Sequence, residues 1–341
     1  MNKEDLIKFC NNILLKLDMD FEKARATSEV LVEADLMGHS THGVRLLPNY
    51  VSDIKNGIMK VNGNYKIISE KKSNIIIDGK LLPGIWLTQE GLKIAITKAH
   101  DFGVSTVTIG NSHHNGALAA FLKVVADEGL IGIIKSSVPS NSTVAPFGGT
   151  EPLFTPNPMA IGFPTNHLPV IIDISASITT NNMIAEKIAN NEKFDFDCLL
   201  TSEGVPSNDP LVVKEEGGTV LPVGGMEYGH KGYGLALGIE ALSQGLSGFG
   251  RKNNPKSMNL STFIQVIDPE FFSGLEEFKK QMSYTVNKAK NNKPIPGKNI
   301  FIPGERALKR RDQALKNGIK LNDITQNSLK DLGKKFNESF F

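Results

Sequence analysis

The sequence has little of several features that would assign a protein to a class by themselves. It contains two cysteines, Cys10 and Cys198, and neither stands in a metal-binding or redox motif, so we expect reduced thiols and no disulfide framework. The formal net charge of +2 provides no field that would favour nucleic acid or an anionic membrane. No apolar run approaches the ~18 residues of a membrane span. These absences predict a cytoplasmic protein without nucleic-acid or membrane partners.

Composition and hydrophobic periodicity predict a mixed α/β fold. Of the residues, 40% are hydrophobic and 22% are charged, which is typical of a globular protein with a large core. Segments with helical spacing of apolar residues and short β-branched runs follow one another along the chain. They predict helices over 6–17, 21–37, 46–56, 89–102, 117–128, 181–190, 230–246, 269–291 and from 304, and strands over 65–68, 74–78, 104–109, 130–134, 170–174 and 260–267.

The segment GHKGYGLALG, residues 229–238, has a glycine spacing that suggests a dinucleotide-binding loop. A Rossmann fingerprint also needs a strand before the loop and an acid about 20 residues after it. Residues 221–229 contain three glycines and a proline, and residues 252–258 contain no acid. The segment is therefore either a helix whose glycines allow close packing or a helix N-terminus at which Lys231 meets a phosphate.

Five of the seven histidines fall in three polar loops, namely His39 and His42, His113 and His114, and His230. His42 lies in a connector between two predicted helices, and an imidazole is the side chain best suited to proton transfer near neutral pH. Thr41 is placed to orient its ring, and Arg45 can hold a carboxylate by two hydrogen bonds. An ordinary surface histidine is the alternative interpretation.

His114 follows a predicted strand and precedes a helix, where ligand groups gather in α/β sheets. A capping or surface histidine pair is the structural alternative. Zinc held by four histidines would instead indicate a metal-dependent hydrolase or lyase. The sequence has no H-E-x-x-H or C-x-x-C motif, so we expect no metal.

Two further segments have the character of ligand-binding loops. Residues 136–159 are rich in Ser, Pro, Gly and Asn, and so long an irregular stretch in a compact protein is more often functional than idle. Asp173 is expected to end an apolar strand, before small residues that would let a ligand approach the backbone. A strand-terminating turn aspartate is the alternative.

Seven segments together resemble the malate/L-lactate dehydrogenase family of type II. They are ADLMGHSTHGVRLLPNYVSDIKNG, VAPFGGTEP, FTPNPMAIGFP, IIDISASITTN, GGMEYGHKGYGLALGIEALSQGLSGFGR, IDPEFFSG and FIPGERAL. The resemblance implies hydride transfer between NAD or NADP and a 2-hydroxy or 2-keto acid, such as malate or L-lactate. It also implies a homodimer and a non-Rossmann NAD(P)-binding fold with a large, mainly antiparallel sheet flanked by helices.

The resemblance also assigns roles to individual residues. His42 and His114 match histidines that act as acid or base in the family, and we favour His42 as the proton donor. Thr41 and Arg45 belong to the same catalytic segment. The positions that match cofactor-contacting segments are Ser140, Asp173, Ile174, Ser175, His230, Lys231, Gly304, Glu305 and Arg306. Residues 1–60 and 305–341 are predicted to form a helical domain for dimerisation and substrate binding, and residues 61–304 the NAD(P)-binding and catalytic domain.

Three departures from the family pattern concern the substrate. Thr41 stands where many members have Ser, and Leu46 stands where many members have Arg, with Arg45 one position earlier. The segment TPNP, residues 155–158, replaces the commoner G-T-N-P. A cyclic imino acid reductase that uses NADPH and a ureidoglycolate dehydrogenase are therefore alternatives within the family, and a binding protein without activity is an alternative outside enzymes.

Overall fold

The N-terminal helices form where apolar residues recur at helical spacing. In the computed structural model, which describes residues 1–340, they are α1 (Lys3–Leu15), α2 (Phe21–Leu36) and α3 (Leu47–Lys55). The Asn2 side chain caps α1 by accepting the backbone N–H of Glu4. All three helices were predicted to within two or three residues at each end.

The remaining helices and strands include those that the periodicity predicts and several that it does not. The helices are α4 (Gly84–Phe102), α5 (Leu122–Asp127), α6 (Asn181–Ala189), α7 (Leu211–Glu215), α8 (Gly225–Tyr228), α9 (His230–Glu240), α10 (Leu275–Lys290), α11 (Glu305–Asn317) and α12 (Asp323–Phe336). The strands are β1 (Lys66–Lys71), β2 (Asn74–Asp78), β3 (Val104–Ser112), β4 (Ile131–Ser137), β5 (Pro158–Phe163), β6 (Val170–Ser175), β7 (Leu199–Leu200), β8 (Pro206–Ser207), β9 (Thr219–Val220) and β10 (Leu260–Ile267).

Seven strands form one large sheet in the order β1-β2-β3-β10-β4-β5-β6. Strands β2 and β3 are parallel, and the other neighbouring pairs are antiparallel. The large, mainly antiparallel sheet flanked by helices is therefore confirmed. Strands β7, β8 and β9 form a separate three-stranded sheet.

The main hydrophobic core, called here the sheet core, lies between one face of the large sheet and the helices α1 to α5. Alternate strand residues such as Val107, Ile134 and Ile264 are fully buried on that face, as the two-residue period of a strand requires. Helix α4 packs against β3 and β10. The sheet core extends into α11 and α12 through Leu308 and Leu329.

A second, smaller cluster, called here the small core, lies around the three-stranded sheet and the helices α6 and α9. Its buried residues are Val144, Phe154, Ala176, Ile184, Phe194, Cys198, Leu199, Val212, Val220, Ala236 and Ile239. Ile184 belongs to α6 and Ala236 to α9, so both helices are anchored in this cluster.

The structure differs from the predicted elements in several places. Helices α7 and α8 and strands β7, β8 and β9 were not predicted, α4 begins at Gly84 instead of 89, and α10 begins at Leu275 instead of 269. Residues 118–121 form a 3-10 turn before α5 instead of continuing one helix, and α9 passes into a π-helical turn at 241–245. Strand β5 begins at Pro158, inside the segment 136–159 that was predicted to be irregular, and continues to Phe163. Helix α12 follows α11, where the Asn322 side chain accepts the Thr325 N–H as a cap. The expectation that Asp173 ends its strand is corrected, because β6 continues to Ser175.

Both ends of the chain meet at the helical side of the molecule. The N-terminal amine of Met1 donates to the Ile319 carbonyl at 3.0 Å, and the Asn12 amide donates to Glu338 at 2.6 Å. Arg311 on α11 pairs with Glu33 on α2. The division at residues 60 and 305 stays a prediction, since the sheet core runs through both parts. None of the helices formed by residues 1–340 is long and apolar enough to cross a membrane.

Candidate active site

The connection between α2 and α3 is built as two short 3-10 turns, 40–42 and 44–46. Asp35 holds them in place, because its carboxylate accepts the Val44 N–H at 2.7 Å. A Cβ on Gly43 would overlap the same carboxyl group, so only glycine lets the backbone approach it this closely. Burial raises the Asp35 pKa to about 7.

This connection and the loop after β3 bring His42 and His114 together. The two rings are stacked with their centroids 5.8 Å apart and an interplanar angle of 23°. His114 is half-buried, as is His42. Two histidines that are 72 positions apart in sequence are therefore stacked against each other.

Hydrogen bonds hold His114 as the tautomer with its proton on Nε2. The Gly116 N–H donates to its Nδ1 at 3.3 Å, and the Tyr50 hydroxyl lies 2.8 Å from the same atom. A backbone N–H can only donate, so Nδ1 is the acceptor and the neutral ring carries its proton on Nε2. Burial raises the Tyr50 pKa, which keeps the hydroxyl protonated. His114 thus presents an N–H donor on the opposite side of its ring.

His42 is held as the other tautomer. The Asn182 amide nitrogen lies 3.1 Å from the Thr41 carbonyl oxygen and 3.4 Å from His42 Nε2. Because a carbonyl oxygen only accepts, the NH2 group must face it, and its second hydrogen points to Nε2. The His42 proton is then on Nδ1, which donates to the Thr41 hydroxyl at 3.0 Å. His42 thus presents an acceptor at Nε2.

Both imidazoles are neutral in this pocket. Burial, with smaller contributions from neighbouring histidines, lowers the His42 pKa to about 4 and the His114 pKa to about 3. A protonated ring in this position would be deprived of hydrating water, and residues 1–340 place no opposite charge there to compensate. The neutral form of each histidine is therefore favoured. The pocket therefore pairs a neutral hydrogen-bond acceptor with a neutral hydrogen-bond donor.

The other two loop histidines of this region face elsewhere. His113 is buried, and its Nε2 lies 3.0 Å from the Asp53 carboxylate. Burial and the charge of Arg310 lower the pKa of His39. Across residues 1–340, no three His, Cys, Asp or Glu side chains are grouped as metal ligands.

Arg45 lies beside His42 and faces α6. Its guanidinium Nη1 is 3.5 Å from Glu186 Oε2, and both side chains are partly exposed. Leu46 packs against the edge of the sheet core instead. The arginine that the sequence proposed as a carboxylate anchor therefore already lies beside a carboxylate of the protein.

The predicted cofactor residues of β6 lie next to the segment that follows His114. The Asp173 carboxylate accepts the Ala119 N–H at 2.9 Å, and burial raises its pKa to about 6. Ile174 is 47% exposed, and the Ser175 hydroxyl donates to the Ser177 carbonyl at 2.8 Å. Only one carboxylate oxygen of Asp173 is engaged by residues 1–340, which leaves the other for a ligand hydroxyl.

The predicted residues at the start of α11 run alongside β6. A Cβ on Gly304, whose φ is 84°, would lie 2.9 Å from the Ile171 backbone, so the contact requires glycine. Glu305 is already bound by Lys290 at 2.6 Å and by Lys309 at 2.7 Å, and these bonds lower its pKa to about 2. Its carboxylate is thus engaged within the protein.

Arg306 is exposed, and its guanidinium lies over the Phe301 ring at 5.0 Å. This position leaves its charge near the surface beside β6. The exposed basic group is available to an anionic part of a ligand.

The predicted residues of the glycine-rich motif form the first turn of α9. His230 makes an edge contact with Phe147 at 5.8 Å, and the Lys231 ammonium lies 5.2 Å from the Tyr228 ring centre. Both are exposed. Positions 234 and 238 have open space where a Cβ would lie. An exposed lysine beside a helix face of glycines fits the phosphates and flat rings of a dinucleotide.

Ser140 is half-buried in the long loop before β5. Arg251 holds the loop on either side of it, donating to the Pro139 carbonyl at 3.5 Å and to the Asn141 carbonyl at 2.9 Å. The Ala176 N–H donates to the Pro156 carbonyl at 2.8 Å. The long loop is therefore fixed next to the end of β6.

Sequence reasoning missed four residues that define the site: Tyr50, Asn182, Glu186 and Asp35. Each lies in a helix whose pattern gave no functional signal. Their partners are 9 to 141 positions away in sequence, so only the tertiary fold reveals the contacts.

Comparison with known proteins places these features in a family. The family model described as malate/L-lactate dehydrogenase matches residues 1–330. The chain is 32% identical to the L-sulfolactate dehydrogenase of Methanocaldococcus jannaschii over 97% of this chain and 96% of that protein. It is 33% identical to the malate dehydrogenase of Pyrococcus abyssi over 98% of this chain and 94% of that protein.

Comparison of the whole fold with solved structures indicates the same family. The solved malate dehydrogenase from Entamoeba histolytica superposes with a TM-score of 0.94 at 29% identity, over 100% of this chain and 98% of that chain. The similarity therefore extends over nearly the whole length of both chains.

Proposed function

Because the chain belongs to the malate/L-lactate dehydrogenase family, we propose that it oxidises a 2-hydroxy acid to the 2-keto acid, and reverses that reaction, at His42 and His114. Members of this family are enzymes that act on small molecules with a nicotinamide cofactor. The observation that carries the proposal for this chain is the stacked pair of neutral imidazoles, one presenting an acceptor and one a donor.

The two histidines have different roles in this proposal. His42 Nε2 takes the proton of the substrate hydroxyl, and the resulting imidazolium keeps its Nδ1–H bond to the Thr41 hydroxyl. The His114 Nε2–H donates to the same oxygen as negative charge develops on it. A neutral imidazole can act in this way as an electrophile. The Gly116 N–H points at His114 Nδ1 and would repel a second proton on that atom. His42 is therefore the better proton carrier.

Arg45 binds the substrate carboxylate in this arrangement. A guanidinium has five N–H donors, and the contact with Glu186 is made by one nitrogen at 3.5 Å. Among residues 1–340, no other hydrogen bond or ion pair engages the guanidinium, whose side chain is 30% exposed. Holding the carboxylate fixes C2 of the acid between the two histidines.

The cofactor is held in this proposal by the segments that border the pocket. Lys231 and Arg306 would supply positive charge, and the second carboxylate oxygen of Asp173 would accept from a ribose hydroxyl. A bound nicotinamide would supply the acceptor for the hydride of C2. Glu305 acts through its ion pairs with Lys290 and Lys309, which fix the start of α11.

We further propose a homodimer in the cytoplasm. Exposed apolar side chains on and near α8 and α9 support a partner surface, and they are Val223, Met226, Tyr228, Leu237 and Leu246. This surface lies outside residues 1–60 and 305–341, which were predicted to form the dimerisation domain. Both cysteines are buried and unpaired, as suits a reducing compartment. Light scattering of the purified protein at two concentrations measures the oligomeric state, and a monomer at both would contradict the dimer.

The absorbance of the reduced nicotinamide tests the proposed reaction. Purified protein is mixed with NADH or NADPH and with pyruvate, oxaloacetate or 2-oxoglutarate in turn. We expect cofactor oxidation with at least one 2-keto acid. Cofactor binding without turnover of any acid would instead favour a cyclic imine or ureidoglycolate. Activity lost with a chelator, with no change in nicotinamide absorbance, would favour the metal-dependent class.

A further inference from the structure

Helix α6 lies directly over the catalytic connection between α2 and α3. Asn182 contacts the Thr41 carbonyl and His42, and Glu186 contacts Arg45. Residues four positions apart face the same side of a helix, so one face of α6 makes both contacts. The other side carries Ile184 and Ile188 into the small core.

The charges at this point are nearly balanced before any substrate arrives. Arg45 is positive and Glu186 is negative, and the two side chains are 30% and 38% exposed. His42 and His114 are neutral because burial lowers the pKa of each. Among residues 1–340, no lysine or second arginine forms a hydrogen bond or ion pair with Thr41, Arg45 or either of these histidines.

A substrate with one carboxylate can use the remaining donors of Arg45. A substrate with a second anionic group would bring that group close to the Glu186 carboxylate, and no lysine or second arginine among residues 1–340 forms a hydrogen bond or ion pair with Arg45 or the two histidines to offset it. Like charges within a few ångströms repel strongly where water is partly excluded. Specificity can therefore arise from repulsion of the wrong substrate.

We propose that Glu186 is a specificity-determining residue, which selects 2-hydroxy and 2-keto acids with an uncharged substituent at C3 over those with a second anionic group. This inference rests on the proposed 2-hydroxy acid dehydrogenase reaction. Glu186 takes no part in proton or hydride transfer. It acts through the charge that it places beside Arg45.

The test compares one monoanionic and one dianionic 2-keto acid. The ratio of kcat/KM for oxaloacetate to kcat/KM for pyruvate is measured with either nicotinamide cofactor, for the wild type and for Glu186→Gln. We expect the wild type to prefer pyruvate and Glu186→Gln to raise the ratio about tenfold or more, mainly through a lower KM for oxaloacetate. Glu186→Ala must change the ratio in the same direction.

A matched control removes the same charge from the same region. Glu192 follows α6 and pairs with Lys187 at 2.9 Å, without contact to the histidines or to Arg45. Glu192→Gln should leave the ratio within about twofold. Glu186→Asp keeps the charge and should keep the preference for pyruvate.

The outcomes separate this inference from the proposed reaction. Turnover of both acids with an unchanged ratio in Glu186→Gln and Glu186→Ala would overturn the role of Glu186 alone. A wild-type enzyme with a higher kcat/KM for oxaloacetate than for pyruvate would also overturn the role of Glu186. Failure of the wild type and every variant to reduce any 2-keto acid would overturn the proposed reaction and this inference together.

Discussion

The sheet core and the small core contribute differently to the candidate site. The sheet core supports the elements that carry His42 and His114, and ten of the 16 residues of α2 are buried. The small core carries α6, in which Ile184 is the one residue of nine that is fully buried. Weakly buried elements open locally more easily than core elements. The proposed proton transfer at His42 and His114 therefore depends on the firmly packed sheet core. The proposed substrate selection by Glu186 depends on α6, which is anchored more loosely in the small core.

The largest effect should come from removing the proton carrier on the sheet-core side. We expect His42→Ala to lower kcat by about 10²- to 10⁴-fold, which is the usual contribution of a general base. Steady-state kinetics in both directions measure this loss. The fold should survive, because His42 is half-buried in a polar turn.

The matched histidine control is His167→Ala. His167 is exposed in the turn between β5 and β6, so its removal should leave kcat unchanged. A His42→Ala enzyme that retains more than about a tenth of the wild-type kcat would contradict the assigned role.

A smaller effect, on the free energy of unfolding, should come from Asp35, whose side chain holds the connection that carries His42. Burial raises the Asp35 pKa from 3.8 to about 7, so the folded state keeps this proton when the unfolded chain has lost it. The stability that Asp35 contributes at low pH is therefore lost as pH rises from about 4 to about 7. Asp35→Asn cannot ionise, and its amide oxygen can still accept the Val44 N–H.

Urea unfolding between pH 4 and pH 8 measures this difference. We expect the free energy of unfolding of Asp35→Asn to change less with pH, and to exceed that of the wild type by about 1–3 kcal/mol at pH 8. Parallel curves for the two proteins would show that Asp35 does not have a raised pKa.

The smallest effect should come from Asn182 on the small-core side. Its hydrogen bond to His42 Nε2 is long, at 3.4 Å, and the substrate hydroxyl must replace it. We expect Asn182→Ala to change kcat by less than about threefold. A loss as large as that of His42→Ala would mean that α6 takes part in the chemistry, and the contrast between the two cores would fail.

Much of the fold could be predicted because local pattern and tertiary structure agree. Strand β10 has the predicted bounds, 260–267, since most of its apolar residues are β-branched or aromatic and the polar residues Asn259 and Asp268 flank it. Strand β5 was missed because it begins at Pro158 and contains Gly162. A Cβ on that glycine would lie 2.8 Å from the Leu122 side chain. The requirement for glycine comes from a helix that is distant in sequence.

The histidines of the site could be proposed from sequence, while their chemical states could not. His42 and His114 stand in short polar loops and match family motifs, which is enough to select them. The proton position on His114 depends on Tyr50 and Gly116, and that on His42 depends on Asn182. Such contacts join positions up to 140 apart, and no local pattern encodes them.

The pH dependence of substrate oxidation tests the central claim, that His42 carries the proton and His114 donates a hydrogen bond. Burial lowers the His42 pKa to about 4, so kcat/KM of the wild type should be level above pH 5 and fall below it. His114→Ala should show the same fall from a lower plateau, and the residual activity of His42→Ala should lack it. A fall that persists in His42→Ala and disappears in His114→Ala would contradict the assignment.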